Sequence, residues 1–96
     1  MNALLVYPVV YVLECEGDEH HARTYYVGNS LNLNHRLSQH WQGAGSLWTR
    51  LHKPVKVLRI EIVTEGDANI VENMVTLELM HEHGREVVRG GKWTKP

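Results

Sequence analysis

The apolar residues of this chain fall into blocks whose spacing changes along the sequence, and the changes mark the elements. Val9 to Glu14 is β-branched and aromatic, as strands prefer, and Pro8 in front of it suits a strand's first position or an edge. Gly17-Asp18-Glu19-His20-His21 is a polar turn, and Arg23 to Val27 resumes the strand pattern. Residues 9–27 therefore predict one antiparallel hairpin with a longish loop, its second strand broken by Gly28. Ser30 then supplies a helix N-cap. Leu33, Leu37 and Trp41 recur at i, i+4 and i+8 and predict a buried helical stripe, ended by Gly43-Ala44-Gly45-Ser46. Leu47 to His52 is open between one helical turn and irregular chain.

Pro54 to Val63 alternates and predicts a third strand. Glu65-Gly66-Asp67 is a turn with Asp67 as a second capping candidate. Ala68 to His83 predicts the longest helix, closed by Gly84 at the left-handed C′ position. Val87 to Trp93 is a short terminal piece whose two glycines let Trp93 fold back. The order strand, strand, helix, strand, helix implies an α/β layer fold: a three-stranded, mainly antiparallel sheet flanked by helices, as one domain over 1–96.

Composition narrows the class. No apolar run approaches the ~20 residues of a membrane span. The apolar stretch 3–13 has no basic residue before it and a proline inside it, which argues against a signal peptide. Cys15 is the single cysteine, so no internal disulfide forms, and a reducing, cytoplasmic setting is expected. Net charge is −1, but the charges are segregated. From His35 to Arg59 there are five basic residues and no acid, and from Arg85 onward four basic residues against Glu86. That distribution allows a positive face on a near-neutral molecule, and so does an ordinary solvated surface.

Several residue types could converge on one polar site. Tyr11 and Tyr26, on paired strands, could point two phenols into one pocket, although strands favour tyrosine in any case. A phenol is a poor base unless its neighbours stabilise the phenolate. Arg36 and His40 stand one helical turn apart; a guanidinium suits phosphate oxygens and an imidazole moves protons near neutral pH. The plain alternative is the wet face of an amphipathic helix. Glu72 lies on a helix apolar around much of its circumference, so it needs a partner: an arginine, a hydrogen bond or a divalent cation. Seven histidines with one cysteine give no tetrahedral zinc set.

Taken together, these residues resemble the GIY-YIG endonuclease superfamily. Val9-Val10-Tyr11 stands where Gly-Ile-Tyr is expected, and Tyr26-Val27-Gly28 where Tyr-Ile-Gly is. Asn29 to His40 follows the pattern of a helix bearing an arginine and, one turn on, a histidine. Ala68-Asn69-Ile70-Val71-Glu72 fits the later helix that supplies a metal-binding glutamate. The likeness spans about residues 9–84.

The resemblance implies a DNA endonuclease dependent on Mg²⁺ (or Mn²⁺). Tyr11 or the water near it would act as base, with Tyr26 in support. Arg36 would steady the phosphate, Glu72 would hold the metal, and His40 would serve as proton shuttle or leaving-group acid. Arg50, Lys53, Lys56, Arg59 and Arg89 are candidate DNA backbone contacts. With no room for a further DNA-binding domain, the chain is expected to be structure-selective, homodimeric or targeted by a partner. Two departures stand out: Val9 replaces the motif's glycine, and the asparagine many members place after the glutamate helix is missing, with Arg89 as a stand-in. The alternative is a catalytically inactive module that binds nucleic acid or protein on the same fold.

Overall fold

The computed structural model describes residues 7–95; the first part of the apolar stretch 3–13 lies outside them. Four strands form one sheet in the order β3-β1-β2-β4. They are β1 (Val9–Glu16), β2 (Arg23–Ser30), β3 (Pro54–Ile62) and β4 (Val88–Gly90). The helices are α1 (Leu33–Trp41), α2 (Leu47–Leu51) and α3 (Ala68–His83). No helix among the described residues is long and apolar enough to cross a membrane.

β1 is central, and it is apolar at nearly every position because both of its faces are covered. Val10 and Val12 pack with Val27 of β2 against Val75, Leu79 and Met80 of α3. Val9, Tyr11, Leu13 and Cys15 turn the other way and pack with Tyr26, Trp48 of α2, and Leu33 and Leu37 of α1. Strand alternation thus splits the core into an α3 side and an α1/α2 side. Burial on the second side pushes the Cys15 thiol up to about 12, so it stays protonated and behaves as a small hydrophobe.

The hairpin forms as the pattern predicts: Asp18 Oδ1 accepts from the backbone N–H of His20 (2.9 Å) and His21 (2.8 Å), closing the loop. Gly28 does not end β2, which continues to Ser30 with Gly28 paired to Tyr11. The α1 cap is therefore Asn32 rather than Ser30: Asn32 Oδ1 accepts from His35 N–H (3.2 Å), while Ser30 Oγ accepts from Asn32 N–H (2.9 Å). Trp41 is 40% exposed, so the expected stripe is buried only in part, and His40 is the fully buried residue of α1. Asp67 makes no side-chain cap, because a short 3₁₀ turn over Glu65–Asp67 leads into α3.

The expected three-stranded sheet has four strands, and it is partly parallel. The terminal piece supplies β4, which pairs with β2 in parallel at Tyr25–Val88, Tyr26–Arg89 and Val27–Gly90. Three residues carry too little periodicity to read as a strand. Gly90 and Gly91 both have positive φ, and the turn they make returns Trp93 to pair with Gly90. β4 stops opposite Val27, leaving the edge of β2 open at Gly28 and Asn29.

Candidate active site

The open edge of β2 is where the chemistry gathers. The Tyr11 side chain lies across its cross-strand partner Gly28, and a Cβ on Gly28 would collide with the phenol hydroxyl. The φ of Gly28 is not positive, so glycine is needed there for space alone. Tyr11 is fully buried, and its hydroxyl is 2.7 Å from His40 Nε2. His40, also fully buried, places Nδ1 2.9 Å from Thr49 Oγ1. Thr49 in turn donates to the Ser46 carbonyl at 3.2 Å, while Ser46 Oγ caps α2 by accepting from Thr49 N–H.

One proton assignment satisfies every member of this chain. Thr49 donates its hydroxyl proton to Ser46, so its oxygen accepts from His40 Nδ1–H; Nε2 is then a lone pair that accepts from Tyr11. The helix turn Leu47–Leu51, ambiguous in sequence, exists to deliver Thr49 and Trp48 here, with Ser46 as its cap. Gly45 is required by closeness, since a Cβ there would strike His40 Nδ1.

Electrostatics fix the protonation states. Burial, and next the charge of Arg36, push His40 down to about 4, so it is neutral at physiological pH. Burial and the neighbouring Tyr26 push the Tyr11 phenol well above its ordinary range, with Arg36 pulling it back. Tyr26 is raised by burial too, opposed by Ser46 and Arg36. Its ring centroid lies 5.2 Å from that of His40 and 6.5 Å from that of Tyr11. Arg36 is half-buried, donates to Gln39 Oε1 at 3.0 Å, and acts on both phenols.

Glu72 comes from α3, on the other side of the sheet, and is 8% exposed. One carboxylate oxygen accepts from the Asn29 side-chain amide and the other from the backbone N–H of Gly91. Its negative charge raises both tyrosines, so it communicates with them past the end of β4. Burial raises the Glu72 carboxyl, and the Gly91 and Asn29 donors work against that rise. The carboxylate lines a cleft of about 290 Å³ together with Asn69, Asn73, Gly91 and Lys92. A magnesium ion keeps several waters and needs only one or two carboxylates. A single carboxylate facing a polar cleft with the amide side chains of Asn69 and Asn73 beside it therefore fits such an ion.

Tyr11, Tyr26, Arg36, His40 and Glu72 are thus brought together, the first four on the α1/α2 side and Glu72 through the open edge. The five basic residues are not. Arg50, Lys53 and Lys56 are exposed on α2, in the following turn and on β3, the Lys56 backbone lying opposite Glu14 of β1. Arg59 sits on the α3 side, bridged to Glu61 (3.2 Å) and Glu78 (3.5 Å). Arg89 does not stand in for the missing asparagine: it lies 5.0 Å over the Trp48 ring and donates to the carbonyls of Arg85, Val88 and Lys95. Sequence reasoning missed Asn29, Thr49, Ser46 and Gly91. The first is adjacent to the motif glycine, and Thr49 had no partner visible in the sequence.

The fold and this site define a class. The model of the GIY-YIG catalytic domain matches residues 7–75, and the chain belongs to that family. Two UPF0213 proteins are similar to it. One, from Cupriavidus necator, is 37% identical over 60 residues, covering 62% of this chain and 60% of the relative. The other, from Syntrophus aciditrophicus, is 36% identical over 55 residues, covering 56% of this chain and 58% of the relative. The chain thus spans about three-fifths of the curated relatives it matches. No solved structure gives a significant match.

Proposed function

We propose that the protein is a divalent-metal-dependent DNA endonuclease, structure-selective or brought to its target by a second copy or a partner protein. The observation that carries this reading is the Tyr11–His40–Thr49 hydrogen-bond chain, set beside Arg36 at the open sheet edge that Glu72 reaches. Burial disfavours a standing phenolate on Tyr11, which supports a relay role for it. Its oxygen takes a proton from the attacking water as its own proton passes to His40 Nε2, while the water oxygen bonds to phosphorus, the opposite P–O bond breaks and the leaving oxygen takes a proton from solvent. An anionic phosphodiester in the site raises the basicity of both groups relative to the free protein. Arg36 holds the phosphate and offsets the charge that develops on it.

Glu72 would hold the metal, Mg²⁺ or Mn²⁺, whose chemistry when bound is to polarise the phosphoryl oxygen. Asn29 and Gly91 aim that carboxylate and oppose the upward push of burial on it. His40 is buried beneath Tyr11, which favours the shuttle role over that of a leaving-group acid in contact with DNA. Arg50, Lys53 and Lys56 are left as the exposed backbone contacts, with an affinity that falls as salt rises.

The test is a nicking assay on supercoiled and branched DNA with Mg²⁺, comparing the wild type with Glu72→Ala and Arg36→Ala. The nuclease reading expects both variants to lose cleavage, with Glu72→Ala still binding DNA. Equal residual cleavage in all three would assign the activity to a contaminant and leave a binding module.

A further inference from the structure

Among the described residues β3 is an edge strand, paired on one side only, and Leu58, Ile60 and Ile62 are 45, 53 and 67% exposed. Pro54, Lys56 and two bulges blunt its first half, as edge strands require, but its last residues keep a regular ladder with apolar side chains, which invites another strand. Tyr7 is half exposed beside Ile60 and Ile62, and the three line a groove of about 230 Å³ with Val9 and Leu33. A soluble chain leaves such a surface open when something fills it.

The backbone says which groups are free. Val63 N–H donates to the Pro8 carbonyl at 3.0 Å, and the same register runs through Glu61–Val10 and Arg59–Val12. In an antiparallel ladder the hydrogen-bonded pairs alternate, so Arg59 and Glu61 spend their backbone groups on β1. The N–H and C=O of Ile60 and Ile62 therefore point to the open side. The regular edge runs from Arg59 to Ile62, since a bulge at Leu58 interrupts the ladder below it.

We propose that this edge is the interface of a homodimer, in which β3 pairs antiparallel with β3 of a second copy, about a two-fold axis at Ile60. Symmetry requires a residue on the axis to meet itself, and charge selects which one. With Arg59 on the axis two guanidiniums face each other, and with Glu61 there two carboxylates do; like charges directly opposite are destabilising. With Ile60 on the axis, Arg59 stands opposite Glu61 of the second copy twice over, within the regular stretch of the edge. The two Ile60 residues exchange backbone hydrogen bonds and pack on the α1 side, where Tyr7 and Ile62 flank them. Arg59, already bridged to Glu61 and Glu78 of its own chain, gains a third carboxylate on the α3 side. None of this depends on the nuclease reading.

The experiment is sedimentation velocity on the full chain over a concentration series, with far-UV circular dichroism to verify folding. The wild type should sediment as a dimer at high micromolar concentration. Ile60→Lys puts two ammoniums on the axis and should raise the dimer dissociation constant by at least ~100-fold without loss of secondary structure. Arg59→Glu should also dissociate it, and adding Glu61→Arg should restore the dimer by reversing both pairs. A monomeric wild type overturns the proposal. So does a dimer that survives Ile60→Lys, which would move the interface to the exposed Ile70, Met74 and Leu77 stripe on α3.

Discussion

The side-chain amide of Asn29, the residue after the motif glycine, donates to Glu72, which lies 43 positions further along the chain. The contact joins the end of β2 to the middle of α3 and ties the phenol side of the sheet to the carboxylate side. Gly91 closes the arrangement from the other oxygen. Both donors favour the ionised carboxylate, while burial opposes it.

Removing one donor should therefore raise the Glu72 pKa further. We expect Asn29→Ala to move the acid limb of the kcat/KM profile to higher pH, with activity regained as pH rises. Metal should bind about 10- to 100-fold more weakly, the usual cost of losing a residue that orients a ligand. Metal titration of cleavage at two pH values checks both effects. An unshifted acid limb with full activity would show that Glu72 needs no help from Asn29.

His40 makes a stability prediction. Its pKa in the folded protein is about 4 against an ordinary value near 6.5. In the window between those values the unfolded chain takes up a proton that the folded chain refuses. Stability is thus unaffected above the ordinary value and falls as the pH drops through the window, by on the order of 3 kcal/mol in all. Urea midpoints measured from neutral pH downward should fall for the wild type. His40→Gln, which cannot titrate, should lose less over the same range, while starting lower because Tyr11 is left with a poorer acceptor. Parallel curves would show that another group controls the acid transition.

Three glycines separate space from backbone strain. Gly28→Ala should destabilise by about 1–3 kcal/mol, since its methyl group meets the Tyr11 ring and hydroxyl in a packed layer. It should also depress cleavage by displacing the phenol. Gly43→Ala has open space but a φ of +78°, so its cost is strain alone. Gly66→Ala has open space and an ordinary φ and should be neutral or slightly stabilising. Thermal melts of the three variants order these costs, and a Gly28→Ala protein as stable as Gly66→Ala would refute the steric account.

The contrast between what the sequence discloses and what it hides has a physical pattern. β1, β3 and α3 are legible because their apolar positions extend over eight or more residues, and pattern needs length. β4 is three residues long and owes its existence to β2, which offers it an edge. The site divides the same way. Tyr11, Tyr26, Arg36, His40 and Glu72 stand out by residue type at motif spacing. Thr49 and Asn29 act only through partners that the fold brings near, at separations of 9 and 43 residues. Gly91 contributes a backbone N–H, which every residue but proline has, so no side chain could announce it. Arg59 shows the same limit: its charge is legible, its bridges to Glu61 and Glu78 are not.

Arg89 gives the sharpest test of that distinction between charge and role. By composition it belongs with the basic residues that would meet DNA. By geometry it is a structural clasp: its guanidinium joins three backbone carbonyls across Arg85 to Lys95 and covers the Trp48 indole. Charged donors to carbonyls contribute about 1.5–3 kcal/mol and a partly exposed cation–π contact about 0.5–1 kcal/mol, so Arg89→Ala should destabilise by about 2 kcal/mol. The clasp also fixes the strand leading into Gly91, so the loss should loosen Glu72 and slow cleavage. A phosphate contact behaves differently: its removal lowers the slope of log K against log salt by about one. We expect Arg50→Ala and Lys53→Ala to show that change with unaltered melting, and Arg89→Ala to show lowered melting with an unaltered slope. A shallower salt slope for Arg89→Ala at wild-type stability would return this residue to the DNA-binding set.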